Sequence, residues 1–115
     1  MKLVSRQISH IYEAGIDNMV VLVSIRLHDT NYVMTSSSCA EVSHDPPLLL
    51  VSICPDRNTH DKILQRGAFV TNILHIKQKK LAQFCGSCSR RDVDKFKHLS
   101  IPYNESKSSL PFIDN

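Results

Sequence analysis

The chain has 115 residues, enough for one domain, and a fold of this size buries roughly 65% of the surface that its unfolded form exposes. An apolar share of 42%, a charged share of 22%, 3 Gly and 5 Pro exclude collagen-like, low-complexity and wholly disordered chains. A net charge of +3, from 14 Lys and Arg against 11 Asp and Glu, is too mild for nucleic acid but suits a small anionic ligand. No apolar run approaches the roughly 20 residues of a membrane helix. The first ten residues, MKLVSRQISH, contain no stretch of signal-peptide length, so the cytoplasm is the expected compartment.

In chain order, Asn18 to Leu27 is a β-branched apolar run that reads as a buried strand turning at His28-Asp29-Thr30-Asn31. Tyr32 to Ser43 resumes an alternating pattern after its central hydroxyl residues and makes an antiparallel pair with the first strand. His44-Asp45-Pro46-Pro47 breaks the ladder, because Pro donates no backbone hydrogen bond. Leu48 to Ile53 is apolar on both faces, the pattern of a fully buried strand.

The period then changes. Asn58 or Thr59 is placed to cap a helix of about two turns, with Asp61 at its positive end, Ile63 and Leu64 as its apolar face and Gly67 as its stop. Ala68 to Leu74 returns to strand composition, and KQKKLAQF is a second helix with Leu81 and Phe84 on one side. From residue 87 onward the chain is polar and reads as a loop with an extended piece at Leu110 to Ile113. This order predicts a mainly β domain with peripheral helices, spanning residues 1–115 without a linker.

Without a signal peptide, Cys39, Cys54, Cys85 and Cys88 read as free thiols rather than disulfides. Cys85 and Cys88 frame a C-x-x-C, but zinc needs four ligands and only His98 follows. The motif also trails a helix, whereas a redox pair stands at a helix start, where the dipole lowers the thiol pKa. No metal site is expected, and the six His read as surface or turn residues.

Two segments suit one ligand. Thr35, Ser36, Ser37 and Ser38 interrupt a good strand with small hydroxyl side chains, which either face solvent or let a flat ring approach the backbone. Pro55-Asp56-Arg57-Asn58-Thr59 precedes a helix, where unsatisfied amides and the dipole favour a phosphate and Arg57 adds a charge. The bland alternative there is a simple cap. Together, a ring-tolerant strand and a helix start describe a mononucleotide site.

The residues MTSSSCAEVSHDPPLLLVSI, then RNTHDKILQRGAFVTNIL, then QKKLAQFCGSCSRRDVDKF resemble, in order and spacing, three blocks of the flavin reductase-like, FMN-binding split-barrel family. The resemblance implies a Greek-key split β-barrel, usually a homodimer, that binds FMN or FAD. Carried over, Thr35 to Ser38 lie beside the flavin ring and ribityl chain; Ser52, Ile53 and Cys54 form the strand end near the cofactor; Asn58 and Thr59 fall at its phosphate-binding turn, beside the Arg57 charge read above. Asp45, Pro46 and Pro47 are turn formers, and Asn72 is a buried structural amide. Cys39 stands where the family often has Phe, and Glu41 where it often has Ser or Thr; Cys39 reads as a small packed residue.

What the resemblance implies about activity is an NAD(P)H-dependent flavin reductase. Hydride passes from NADH or NADPH to the flavin, and electrons pass on to a partner oxygenase, ferric iron or oxygen. No catalytic side chain is expected, since the cofactors carry the chemistry. The Lys-rich run after Ile76 is a solvated helix face, with attraction of nicotinamide phosphates as the alternative. Family barrels continue with further strands beyond the point matching Asn115, so an incomplete barrel is expected. That expectation keeps a second function open: a flavin-binding electron carrier or subunit without reductase turnover.

Overall fold

The computed structural model describes residues 19–87 and 94–114, together with the isolated positions 5, 7 and 9. β1 (Met19–Leu27) grows from a run in which Val20, Val21, Val23 and Ile25 are β-branched, side chains that pack well on a pleated surface. It pairs antiparallel with β2 (Thr30–Ser43) through a two-residue turn at His28 and Asp29, both at positive φ, 50° and 60°. The twist of such a turn matches that of its flanking strands, so the reversal is tighter than the four residues expected. After a turn at residues 44–47, β3 (Leu48–Val51) returns along β2. The proline pair thus ends one strand and lets the next begin.

α1 (Asn58–Arg66) stops at Gly67, whose left-handed φ of 74° lets its N–H reach Ile63 O at 2.8 Å. Ile63 packs inward, whereas Leu64 is 70% exposed and does not join the expected apolar face. β4 (Val70–Ile73) pairs antiparallel with β1, which completes an open sheet of order β3-β2-β1-β4. A 3₁₀ turn at Ile76–Gln78 precedes α2 (Lys79–Ser87). His75 caps the turn: its Nδ1 accepts from Lys77 N, and Gln78 Oε1 accepts from His75 N in return.

Two departures from expectation lie further along. α3 (Lys95–His98) forms where a loop was expected, with the Asp94 carboxylate accepting from Lys97 N at its start. β5 (Tyr103–Glu105) pairs with β6 (Pro111–Ile113), so the expected lone extended piece is half of a hairpin. β5 is exposed along its whole length and shows no alternation; only its partner strand, buried at Pro111 and Ile113, defines it.

The sheet is covered on both faces near its centre. On one face Leu22, Val33, Cys85, Phe96, Ile101 and Ile113 form a cluster with Leu74, Leu81 and Phe84. On the other, Val21, Val23, Met34 and Cys39 pack with Val51, Ile53 and Ile63. Successive β1 side chains therefore enter opposite layers, and Val21, Leu22, Val23, Ser24 and Ile25 are all 0% exposed. β3 corrects an expectation: Leu48, Leu49 and Leu50 are 51%, 56% and 51% exposed instead of buried. Among the described residues β3 hydrogen-bonds only to β2 and stands at the sheet edge, where no described layer lies above its apolar run. No helix among the described residues is long and apolar enough to cross a membrane.

Asn72 is the structural amide expected. Its Nδ2 donates to Leu22 O and Ser24 Oγ, each at 2.9 Å, and its Oδ1 accepts from Ile113 N at 2.8 Å. Ser24 Oγ in turn donates to Pro111 O at 2.6 Å, so one polar knot joins β1, β4 and β6 inside the core. Asn72→Ala leaves several buried groups unpaired and is expected to cost about 3 kcal/mol. Urea denaturation checks this, with a fall in midpoint at an unchanged slope.

Candidate functional site

The hydroxyl segment of β2 is irregular in a way its composition did not show. Met19 faces Cys39 and Val21 faces Ser36, so two steps along β1 oppose three along β2, which places a bulge at Ser37 and Ser38. Ser36 holds it: its Oγ accepts from Ser38 N at 3.3 Å and donates to Ser52 O at 3.4 Å, while Ser52 N donates to Ser38 O at 3.0 Å. The bulge and the start of the segment leaving β3 are thus stitched together across the strands.

From Ser52 the chain leaves the sheet, turns with Arg57 N donating to Cys54 O at 3.1 Å, and enters α1. The N-cap is Arg57, extended at φ −72° and ψ 135°, and its own side chain makes no capping hydrogen bond. This differs from the cap expected at Asn58 or Thr59, since Asn58 is already helical. A helix start presents amide donors and a partial positive charge outward. Asp61 in the first turn opposes that charge and is paired with His60 at 2.9 Å.

Of the ten residues singled out, nine gather here. Ser37, Ser52, Cys54 and Arg57 are exposed; Ser38, Ile53 and Asn58 are half-buried; Ser36 and Thr59 are buried at 4% and 3% exposure. Ile53 packs into the α1-side core. Thr35 is the exception, for it faces the opposite layer and its Oγ1 donates to Ala82 O of α2 at 2.5 Å. Sequence reading missed this use of Thr35 because the partner is a backbone carbonyl 47 positions away.

Two clefts flank the sheet. One, of about 420 Å³, lies over Thr35 and is lined by Val20, Leu74, Lys79, Ala82 and Gly86. The other, of about 490 Å³, is bounded by Met19, Cys39, Pro47, Leu48, Leu49 and Ile73 along the open edge. Lys77, Lys79 and Lys80 are all exposed, as a solvated face predicts, with Lys79 on the rim of the first cleft. Cys39 is packed at 4% exposure and Cys85 at 1%, within the last turn of α2; Cys88 lies outside the described residues. Among the described residues no three potential metal ligands gather.

A family model described as flavin reductase like domain matches residues 14–115. The FMN-binding protein of Thermus thermophilus, solved with 1-cyclohex-2-enone bound, superposes with a TM-score of 0.83 at 25% identity over 100% of this chain and 62% of its own. A nitrilotriacetate monooxygenase component B homolog from Mycobacterium thermoresistibile gives 0.79 at 27% identity, over 90% and 55%. The flavoredoxin of Desulfovibrio vulgaris (Miyazaki F) shares the fold, with a TM-score of 0.82 at 22% identity over 100% and 62%. The chain therefore spans about three fifths of the length of these structures. No curated protein matches it. The open sheet with its few helices has the architecture of the FMN-binding split barrels.

Burial separates the thiols. Cys54 is exposed whereas Cys39 and Cys85 are enclosed, so Cys54→Ser is expected to remove one fast-reacting equivalent in a thiol-reagent time course on the folded protein. An unchanged fast phase contradicts the placement of Cys54.

Proposed function

The chain belongs to the flavin reductase-like domain family, and from that premise we propose that it is an FMN-binding oxidoreductase whose flavin lies along the bulged serine strip with its phosphate at the start of α1. The observation that carries the reading is the helix N-terminus at Arg57, whose own side chain does not cap it, joined through Ser52 to the bulge at Ser37 and Ser38. A planar ring needs small side chains beneath it, and these serines supply them. A phosphate needs donors and positive charge, which the first amides of α1 and the exposed Arg57 guanidinium offer.

Within that reading the ten residues divide their work. Ser37, Ser38 and Ser52 present hydroxyls to the rim of the ring. Ile53 and Cys54 border it, and Arg57 and Asn58 hold the phosphate. Ser36 and Thr59 support the site from buried positions, and Thr35 supports it from the opposite layer, where it is half-buried. When bound, flavin would supply the redox chemistry, hydride acceptance from NADH or NADPH and electron transfer onward, while the residues above bind and orient it. FMN is favoured over FAD because one helix start serves one terminal phosphate. The relative named as a monooxygenase component supports an oxygenase as electron acceptor. The half-exposed leucines of β3, beside Met19 and Ile73, support a homodimer that covers them in the cytoplasm.

Purified protein is expected to bind FMN with a dissociation constant on the order of 1 μM. Arg57→Ala should weaken FMN about tenfold, the scale of one charged hydrogen bond, and leave riboflavin, which has no phosphate, unaffected. Fluorescence titration reads both, and a folded chain that binds neither FMN nor FAD overturns the reading. Mixing the loaded protein with NADH or NADPH without oxygen separates a reductase, which bleaches quickly, from an electron carrier, which does not. In sedimentation velocity, Leu49→Lys should convert a dimer to a monomer.

A further inference from the structure

Lys95 is 4% exposed, and its Nζ donates to Val33 O of β2 at 3.0 Å and to Cys85 O in the last turn of α2 at 2.6 Å. Removing an ammonium from water is costly, so it persists in a core only where strong acceptors compensate. A helix C-terminus is such a place, because its last carbonyls lack intrahelical donors and carry partial negative charge.

The same helix meets β2 twice more. Thr35 Oγ1 donates to Ala82 O at 2.5 Å, and a Cβ on Gly86 would lie 3.3 Å from Thr35 Cβ. A larger residue at position 86 would have to displace the Thr35 side chain by a few tenths of an ångström. Val33 and Thr35 are alternate residues of one strand and so share a face. The next position on that register is Ser37, exposed and within the bulge. β2 is therefore pinned to α2 up to the residue where its regular ladder fails.

We propose that Lys95 is a positioning residue for the flavin ring, acting through this clamp and resting on the flavin site proposed above. By fixing Val33 and Thr35 against the end of α2, the ammonium determines where the bulge falls and how Ser37 and Ser38 are aimed. It touches no flavin. A β-bulge is a soft feature, since one extra residue can be taken up at neighbouring positions, and a rigid anchor on one side removes that freedom. The hydroxyl strip is then preorganised by a buried residue away from it.

The test compares wild type with Lys95→Met, Thr35→Val and the double variant, titrating each with FMN and with riboflavin. Visible circular dichroism of the bound flavin and the unfolding temperature are recorded in parallel. Lys95→Met is expected to weaken both flavins by the same factor, roughly tenfold, and to alter the flavin's circular dichroism band, because the ring side of the site is disturbed. Arg57→Ala, by contrast, acts on FMN alone. The double variant should lose no more than the larger single change, since both residues serve one clamp. If Lys95→Met does not fold, Thr35→Val carries the same expectation. A lower unfolding temperature with unchanged affinity and unchanged flavin band overturns the proposal, as do additive losses. Wild-type protein that binds neither flavin overturns the flavin site itself and the clamp's role with it.

Discussion

β1 is enclosed on both faces. Five consecutive residues, Val21 to Ile25, are wholly removed from water, and their side chains alternate between two separate cores. Each fully buried Val, Leu or Ile contributes about 1.5–3 kcal/mol, so the strand stabilises the fold only while both covering layers are present. α1 supplies one layer; α2, α3 and the β5-β6 hairpin supply the other. Backbone polar groups of the strand are met by β2 and β4, and the one hydroxyl among the five, Ser24, is met by Asn72 and Pro111. Had Ser24 no such partners, its burial would oppose the fold.

The same enclosure explains where the candidate site falls. Under the end of α2, β2 has its side chains committed: Val33 to the core, Thr35 to a helix carbonyl. One step past that cover the ladder slips by a residue, and small polar groups meet solvent beside the segment that leads into α1. Regular structure thus holds the site from behind while irregular structure presents it. A ring laid there rests on a strand whose reverse face is immobilised by packing. This division, rigid support and locally unpaired backbone, is how sheets commonly bear binding sites.

Away from this centre the molecule is less enclosed. Among the described residues β3 bonds to one neighbour only and displays three leucines, and Met19 and Ile73 line the same cleft as Leu48 and Leu49. An uncovered apolar strand is a template for further pairing unless something lies over it. Arg26 shows the opposite treatment of a margin. Its guanidinium bonds Glu105 at 2.6 Å and Asn31 at 2.9 Å, tying the β1-β2 hairpin to β5; the Glu105 bond raises its pKa above the usual arginine value.

Much of this was legible in the residues. Composition and β-branched runs placed β1, β2 and β4; Pro46 and Pro47 placed the turn; Gly67 placed the end of α1, because each depends on one residue's conformational range or on local periodicity. The three blocks with family resemblance lie in segments that the fold brings side by side, and Asn72 was marked as a buried amide by its polar character in an apolar strand. Other features had no local signal. The exposure of Leu48 to Leu50, the commitment of Thr35 to Ala82, the burial of Lys95 and the pairing of β5 all depend on partners distant in sequence. A side chain's chemistry states what it can bond, and the sequence determined that inventory of strands, turns and donors. Which donor meets which acceptor, and which apolar face finds a cover, is settled only when the layers pack, because burial belongs to the assembled neighbours and not to the residue.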